Sequence, residues 1–497
     1  MIKNIKVLLL YPNMMMKNLL PPSIGLLTAC LKEKGFEVAL FDTTYYITDM
    51  ENPDEIRKSY LQVRTYDAKD YGISIKTTDV TEDFKKKVAE FKPDLIGVTV
   101  VEDTMPLALR LIGSLGKDRP PTIFGGIYIS YLKEKAFENK EIDSICLGEG
   151  EGALVELCER MQNGLDYYDV QNLCFRRGSE VVKNKVRPLV DLDRLPTPDY
   201  SLFDPKRLYS PMQGKMYRML PVDFDRGCPY DCSFCASPAY RNWYREQNGG
   251  CYFRKKDPGK IIEEMKEMAG KYSLEYLYFN SDTFLTLRDD VLVKLMSRIR
   301  DEVGLPFWCQ SRVETISEDK VRLLKDCGCD RITVGLEHGN EGFRKKIIRK
   351  NFTNEQFIRA TETINKVGVP LSVNNIIGFP YETRELIFDT IRLNRKVRSD
   401  TVSVFIFYPY TGTRLYDLCA KDGLIDRSVT NASLLQNSVI RNKNITKEHL
   451  NQLLKTFCLY VKFPEAMWPD IEKVENLEPG SEGIFKRLSE EYQKKYF

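Results

Sequence analysis

The stretch DFDRGCPYDCSFCASPAY, residues 223–240, places Cys228, Cys232 and Cys235 close together on one short segment. A structural zinc site needs four closing ligands, and the chain has only two histidines to complete such a set. A C-x-x-C redox pair would leave Cys228 unexplained. Three thiolates on one loop can instead bind three irons of a 4Fe-4S cluster and leave the fourth iron open to an external ligand.

The sequence around and after this loop alternates strand-like runs with helical stretches. Six runs are rich in β-branched and aromatic residues: PVDFDR, EYLYFN, PFWCQS, DRITVGLE, PLSVNNIIGF and VSVFIFYPY. Helical segments between them begin near Pro258, Asp289, Ser317, Thr353 and Thr383. Six such units are too few for a closed eightfold barrel, so the pattern predicts a partial (β/α)6 barrel of the TIM type, with its site at the carboxyl ends of the strands.

The N-terminal part has a second α/β pattern of its own. Strand-like runs KVLLLY, FEVALFD, PDLIGVTV, PTIFGG and DSICLGEG alternate with amphipathic helices up to about residue 150. This order is typical of a doubly wound parallel, Rossmann-like sheet whose ligand lies beyond the carboxyl ends of the strands. The segment YYITDMENPDEIRKSYLQVRTYDAKDYG is predicted to be an insertion before the third strand.

These patterns divide the 497 residues into four parts. We predict a Rossmann-like domain over 1–162, a linker with a hairpin (NLCFRRGSEVVKNK) over 163–220, a partial barrel over 221–421, and a small, mainly helical C-terminal region over 422–497.

Composition and charge describe an ordinary globular protein. Apolar residues make up 42% and charged residues 29%, and the net charge of +3 gives no reason to expect a nucleic-acid partner. The thirteen cysteines are scattered through a chain with no convincing secretion signal, which favours reduced thiols. No stretch is apolar for long enough to predict a membrane span, so a cytoplasmic location is expected.

The C-x3-C-x2-C spacing after the first strand of a partial barrel resembles the radical S-adenosylmethionine (radical SAM) superfamily. The resemblance implies that Cys228, Cys232 and Cys235 bind a 4Fe-4S cluster and that Phe234 occupies the aromatic position before the last cysteine. It also implies that S-adenosylmethionine (SAM) is bound at the open iron and is cleaved to a radical that abstracts hydrogen from the substrate.

Further segments resemble the SAM-contacting parts of that superfamily. YLYFNSDTF, VGLEHG and NNIIGFPYET resemble its strand-end motifs, and the resemblance implies SAM contacts from Ser281, Asp282, Glu337, Ile377 and Gly378. Each motif departs from the family pattern: serine replaces the first aspartate at 281, histidine replaces the usual serine at 338, and Asn374 or Asn375 stands at the place of the first glycine in the third motif. A capping turn or an ordinary strand-end glutamate would explain the same residues.

Two polar residues in WCQSRVE end a predicted strand on the same face. Gln310 and Arg312 are therefore candidates to hold the SAM carboxylate, a task that suits the planar fork of arginine. A plain salt bridge is the alternative for Arg312. Cys327 and Cys329 could join an auxiliary cluster or pack beside the glycine that ends a helix, and the sequence leaves both possibilities open.

The N-terminal domain and the following LPTPDYSLF resemble the cobalamin-binding class of radical SAM enzymes, the class B methyltransferase type. The resemblance implies a corrinoid held at the carboxyl ends of the strands. The candidate contacts, which could equally be ordinary turn and loop residues, are Tyr11, Pro12, Asn13, Glu102, Asp103, Met105, Gly125, Gly126, Gly148, Glu149 and Gly150. No histidine precedes His338, so the Asp-x-His-x-x-Gly mode of cobalt ligation is excluded here.

The resemblance implies a C-methyltransferase that uses the cluster, SAM and methylcobalamin on an unactivated carbon of a natural product, a cofactor precursor, or a peptide or protein side chain. The implied partners are that substrate and an electron donor such as flavodoxin or ferredoxin. A cyclase or rearrangement enzyme with the same cofactors is the alternative. A transfer-RNA methylthiotransferase and a redox-sensing protein without enzymatic activity are weaker alternatives, because the chain is near neutral and its cluster motif is intact.

Overall fold

The structure is a computed structural model that describes residues 4–429 and 433–497. The chain divides into two compact units. The described residues of Met1–Asn52, Ala68–Ser210 and Tyr240–Lys260 form the first unit, and those of Pro53–Asp67, Pro211–Ala239 and Ile261–Phe497 form the second. The boundaries of these two units differ from those of the predicted four-part division, which remains a prediction.

The strands are β1 (Lys6–Tyr11), β2 (Glu37–Asp42), β3 (Leu95–Thr99), β4 (Thr122–Gly125), β5 (Ser144–Cys146), β6 (Leu173–Arg177), β7 (Glu180–Lys183), β8 (Tyr209–Met212), β9 (Lys215–Asp223), β10 (Asp225–Arg226), β11 (Arg254–Lys255), β12 (Tyr276–Asn280), β13 (Phe307–Ser311), β14 (Cys329–Glu337), β15 (Leu371–Ile377) and β16 (Thr401–Ile406).

The α-helices are α1 (Pro22–Glu33), α2 (Pro53–Ser59), α3 (Val80–Phe91), α4 (Met105–Gly113), α5 (Ile127–Leu132), α6 (Glu151–Gln162), α7 (Ala236–Asn248), α8 (Pro258–Tyr272), α9 (Asp289–Arg298), α10 (Glu318–Asp326), α11 (Glu341–Phe343), α12 (Asn354–Val367), α13 (Arg384–Arg395), α14 (Arg414–Lys421), α15 (Lys447–Lys462), α16 (Trp468–Glu475) and α17 (Ser481–Tyr496). Two π-helical turns follow α9 and α11, at Ile299–Val303 and Arg344–Ile348.

The first unit contains a seven-stranded sheet in the order β2-β1-β3-β4-β5-β6-β7. Its first five strands are parallel, and the order reverses at β1. The interior residues of β1 and β3 are buried, as expected for parallel strands covered on both faces. The predicted doubly wound, Rossmann-like architecture is confirmed, and the carboxyl ends of these strands form one edge where a ligand can lie.

The hairpin predicted inside a linker belongs to the first sheet. Strand β6 pairs antiparallel with β5, and β7 pairs antiparallel with β6. Leu173, Cys174 and Phe175 of β6 are buried, because this strand continues the hydrogen bonding of the parallel sheet and covers its edge.

The second unit contains the predicted partial barrel, in the order β16-β15-β14-β13-β12-β9-β8. The six strands expected from the sequence pair in parallel, and β8 is an additional strand beside β9. Helices α10, α12 and α13 begin where the sequence predicts, because Ser317, Thr353 and Thr383 accept hydrogen bonds from the backbone of the first turn.

The predicted insertion before β3 contributes a segment to the second unit. Within Pro53–Asp67, the buried Gln62 accepts a hydrogen bond from the backbone N–H of Val404 on β16, at 3.1 Å. Leu61 packs in the same apolar cluster as Val404 and the C-terminal helices. Since β16 is the last strand of its sheet, this segment covers an edge that would otherwise present unpaired backbone groups.

The predicted helical C-terminal region is present as α15, α16 and α17, and a buried carboxylate ties it to α13. Glu475 accepts hydrogen bonds from Arg384 (2.6 and 2.9 Å) and Tyr460 (2.6 Å), and its carboxylate lies 2.6 Å from Nε2 of His449. Burial alone would raise the pKa of Glu475, but these partners lower it. None of the helices in the described ranges is long and apolar enough to cross a membrane.

Replacing Glu475 by alanine should lower the free energy of unfolding by about 2 to 4 kcal/mol, because Arg384 and Tyr460 lose a buried partner. A carboxylate whose pKa is lowered by folding stabilises above its unfolded pKa, so the difference from the parent protein should shrink as the pH falls below about 4. Urea unfolding at several pH values measures this, with Glu491→Ala on the exposed face of α17 as control. A difference that does not depend on pH would contradict it.

Candidate active site

The loop between β10 and α7 carries the three cysteines of the motif. Cys232 is buried, and Cys228 and Cys235 are half-buried. Ser233 fixes the loop, because its N–H donates to Ile348 O (2.9 Å) and its hydroxyl donates to Ile347 O (2.5 Å). The carbonyl of Ser233 accepts from the N–H of Leu415 (3.0 Å). Two distant parts of the second unit therefore hold the backbone from which the thiols project.

The thiols of this loop are shielded from water. Burial raises the pKa of Cys228 to about 11 and that of Cys235 to about 12, and the nearby carboxylate of Asp282 adds to both increases. Both thiols therefore carry a proton near neutral pH in the metal-free chain, and binding iron displaces it. In the part of the chain that the structure describes, no three His, Cys, Asp or Glu side chains converge on the position of a single ion.

In the metal-free protein, iodoacetamide should modify Cys228 and Cys235 slowly at pH 7. The rate at both sites should rise by about tenfold per pH unit up to pH 9, because the thiolate is the reactive form. Site-resolved mass spectrometry measures the rates, and the exposed Cys251 provides an internal control for reagent activity. Rates that level off below pH 9 would contradict the raised pKa values.

Arg312 follows β13 directly and lies beside the cysteine loop. Its Nη1 donates to Sγ of Cys232 at 3.1 Å, and its Nη2 donates to Oε1 of Glu314 at 2.5 Å. The guanidinium stacks on the ring of Tyr230, with its carbon 3.8 Å from the ring centroid. The sequence predicted a SAM carboxylate contact for this residue, whereas in the structure its terminal nitrogens contact a cysteine and a glutamate of the protein.

The carboxyl end of β12 brings two predicted SAM residues to the same loop. Ser281 is buried and donates to Asp225 at 2.7 Å. Asp282 is exposed, yet desolvation by the neighbouring protein raises the pKa of its carboxyl group, while the nearby hydroxyl of Ser237 opposes the increase. On the next strand, Gln310 donates to the hydroxyl of Tyr278 at 2.6 Å.

Glu337 ends β14 with a left-handed backbone, at φ 63°. Its carboxylate is 2.9 Å from Nζ of Lys350, which also donates to Gly335 O at 2.6 Å. Both side chains of the pair are almost fully buried. A Cβ at position 335 would come within 2.1 Å of the Glu337 carboxylate, so only glycine leaves room for it. Sequence motifs indicated Glu337 but gave no signal for Lys350.

Replacing Lys350 by methionine should lower the free energy of unfolding by about 3 to 5 kcal/mol, because the carboxylate of Glu337 stays buried without its cation. The double variant Lys350→Met/Glu337→Gln should recover a large part of this loss. Chemical unfolding measures both, with Lys346→Met as control at an exposed lysine of the same turn. A double variant no more stable than the single one would contradict the pairing.

The turn after β15 is organised by a buried carboxylate. Glu382 accepts hydrogen bonds from the N–H groups of Gly378 and Phe379, and its second oxygen is 3.0 Å from Nε2 of His338. The N–H of Asn340 donates to Nδ1 of His338, and Nε2 on the other side of the ring lies close to Glu382. Histidine in place of the usual serine is therefore part of this turn's support.

Of the other residues predicted to contact SAM, Ile377 and Gly378 are buried and Phe234 is half-buried. Ile377 lies in the apolar cluster with the C-terminal helices. Gly378 has φ 81°, and a Cβ there would come within 2.7 Å of Leu450. Phe234 makes an edge-to-face contact with Phe379, with ring centroids 6.5 Å apart.

In the first unit, two of the predicted glycines are required by close packing inside the protein. Gly126 has φ 106°, and an added Cβ would lie 2.3 Å from Val100 O. Gly148 has φ 81°, and its Cβ would lie 2.2 Å from the hydroxyl of Tyr244. Gly125 has more room, since only Cβ of Cys146, at 3.8 Å, lies within 4 Å of its Cβ position.

Glu149 is a buried structural residue. Its carboxylate accepts hydrogen bonds from Arg254 and from the N–H of Val190, the latter at 2.9 Å. Its own N–H donates to Tyr244 at 2.7 Å, and its carbonyl accepts from Asn172 at 2.7 Å. These contacts hold both the backbone and the side chain of Glu149 within the protein. The next residue predicted, Gly150, immediately precedes α6.

The loops after β1 and β3 contain the remaining predicted cobalamin residues. Pro12, Asn13 and Met105 are buried, whereas Tyr11, Glu102 and Asp103 are half-buried. The buried Asn13 donates to the hydroxyl of Thr44, which follows β2, at 2.8 Å and to the carbonyl of Lys17 in its own loop at 3.0 Å.

The same edge of the first sheet also carries exposed apolar side chains. Val101 and Ile127 follow β3 and β4, and they are 43% and 38% exposed. No sequence motif pointed to them, since a single apolar residue beyond a strand end carries no motif.

Cys327 and Cys329, which were considered for an auxiliary cluster, are both buried. The thiol of Cys329 lies 3.4 Å from Arg331 O, within hydrogen-bonding distance, and burial raises its pKa well above the usual range. These contacts favour packing inside the protein over metal binding.

Two family models match this chain, in order. Residues 18–158 match the B12 binding domain, and residues 222–393 match the radical SAM superfamily. The uncharacterized methyltransferase PH0819 of Pyrococcus horikoshii is 28% identical over 399 residues, covering 78% of this chain and 83% of that protein. The anaerobic magnesium-protoporphyrin IX monomethyl ester cyclase of Rubrivivax gelatinosus is 25% identical over 353 residues, covering 68% of this chain and 61% of that protein.

The fold is also similar to that of a solved structure. The radical SAM methyltransferase TsrM from Kitasatospora setae, with cobalamin and a [4Fe-4S] cluster bound, superimposes with a TM-score of 0.63 at 17% identity. The match covers 98% of this chain and all of that one.

Proposed function

We propose that this chain, which belongs to the cobalamin-dependent radical SAM enzymes, is a C-methyltransferase that acts on an unactivated carbon of a natural product, a cofactor precursor, or a peptide or protein side chain. One observation carries the proposal, the combination of two features in one chain. A three-cysteine loop follows the first predicted strand of a partial barrel, and the N-terminal part of the chain matches the B12 binding domain. When bound, the cluster and SAM supply radical chemistry, and the corrinoid supplies a transferable methyl group.

The residues of the second unit fit the cluster and SAM. Cys228, Cys232 and Cys235 would hold the cluster, because Ser233 fixes the backbone of their loop. Asp282 lies near this loop and would accept the ammonium group of SAM. Glu337 would present its carboxylate oxygens at a neighbouring strand end. Ile377 and Gly378 would support the SAM site only indirectly, through their packing inside the protein. Gln310 remains a candidate to contact SAM through its side-chain amide.

The first unit fits a corrinoid at the carboxyl edge of its sheet. Val101 and Ile127 would offer apolar contacts, and Gly125 would allow close approach of the backbone. Glu102 and Asp103 lie on the loop after β3 and remain candidates for polar contacts. In contrast, Gly126, Gly148 and Glu149 would act indirectly by shaping that edge, because their close contacts are with the protein.

A reaction that closes or rearranges a ring with the same cofactors is the second candidate. It is favoured by the similarity to the cyclase of Rubrivivax gelatinosus, although this chain spans only 61% of that protein. For either reaction we propose flavodoxin or ferredoxin as electron donor, and no nucleic-acid partner. We also propose a cytoplasmic location, which the scattered cysteines of the sequence favour.

Anaerobic reconstitution of the full chain with iron, sulfide and hydroxocobalamin tests the proposal. We expect about four irons and one cobalamin per chain after desalting, and loss of the iron, with cobalamin retained, in the variant Cys228→Ala/Cys232→Ala/Cys235→Ala. Iron without cobalamin would overturn the corrinoid assignment. With SAM labelled by deuterium in its methyl group, transfer of the label to product supports a methyltransferase, and an unlabelled cyclised or rearranged product supports the second candidate.

A further inference from the structure

We infer that Arg312 is a positioning residue for the cluster and does not bind the SAM carboxylate. Its guanidinium donates a hydrogen bond to the sulfur of Cys232 and raises the reduction potential of the cluster. The inference rests on the proposed function in one respect only, that the three cysteines hold a 4Fe-4S cluster. It assigns to Arg312 a role that the sequence motif did not indicate.

The contacts of the guanidinium account for both of its terminal nitrogens. Nη1 is 3.1 Å from Sγ of Cys232, and Nη2 is 2.5 Å from the carboxylate of Glu314. Tyr230 covers one face of the group. Arg312 is only 7% exposed, so it cannot swing toward an incoming ligand without breaking these contacts. A bidentate bond from Nη1 and Nη2 to a carboxylate of SAM would have to share two nitrogens that already donate to Cys232 and Glu314.

The third nitrogen gives independent support. Nε of Arg312 is buried and has no hydrogen-bond partner among the described residues. An N–H buried without an acceptor is costly, and a native structure with one usually provides an acceptor in its functional state. A cluster held by Cys232 would bring sulfur acceptors to this part of the loop, so the orphaned donor fits a group bound there.

The effect on the cluster follows from its charge. Reduction adds one electron to a group already bound by thiolates, and a cation with N–H donors stabilises the added negative charge. Hydrogen bonds to the sulfurs and nearby charge are among the features that set the potentials of such clusters. Because Arg312 is buried, water screens this interaction weakly. Glu314 neutralises part of the charge, and its side chain is more exposed than that of Arg312.

The test is a redox titration of the reconstituted full chain, without SAM, followed by the electron paramagnetic resonance signal of the reduced cluster. In Arg312→Gln we expect the ratio of reduced to oxidised cluster at a fixed potential to fall about tenfold. This corresponds to a reduction potential about 59 mV lower for a one-electron couple. Arg312→Lys keeps the charge without the fork and should give an intermediate potential. The control is Arg322→Gln, which replaces an exposed arginine on α10.

An unchanged potential in Arg312→Gln, together with weaker SAM binding, would overturn the inference and restore the carboxylate role. If Arg312→Gln loses its cluster, Arg312→Lys decides: a potential equal to that of the parent protein overturns the inference, and a lower one supports it. Failure of the parent protein to bind about four irons would instead contradict the proposed function.

Discussion

The candidate site depends on one constraint, the fixing of the cysteine loop by Ser233. The hydrogen bonds of this residue to Ile347, Ile348 and Leu415 connect a short loop to two segments more than a hundred residues further along the chain. A backbone held at these points presents the three thiols as one ligand set. The parallel strands supply the rest, because their carboxyl ends bring Asp282, Arg312 and Glu337 to the same edge of the barrel.

Much of the fold could be predicted because its signals are local. Buried parallel strands appear as apolar runs, and Ser317, Thr353 and Thr383 are capping residues at the positions where helices begin. The place of the hairpin β6–β7 in the first sheet could not be predicted, because an edge strand of a parallel sheet and a hairpin in a linker have the same local pattern. The pairing of β6 with β5 is a tertiary contact.

In the candidate site, too, the residues with local sequence signals could be predicted and those defined by tertiary contacts could not. The cysteine spacing and the strand-end motifs indicated the residues expected to contact cofactors. They gave no signal for Lys350, which neutralises Glu337, or for Glu382, which holds the turn at Gly378. Such partners are defined only by distance in the fold. Glycine patterns were ambiguous for a related reason, since Gly126 and Gly148 are explained by packing on Val100 and Tyr244, and a ligand would impose the same requirement.

The contact between Gln62 and Val404 has a consequence for the order of folding. The two residues are 342 positions apart, and the segment around Gln62 covers the last strand of the barrel sheet. At about 5 to 20 residues per second, a ribosome takes roughly 17 to 68 s to synthesise the intervening chain. The segment Pro53–Asp67 is thus without its partner while β3 to β7 of the first unit are synthesised. The second unit therefore includes a segment that is synthesised early and can form this contact only after β16 has been made.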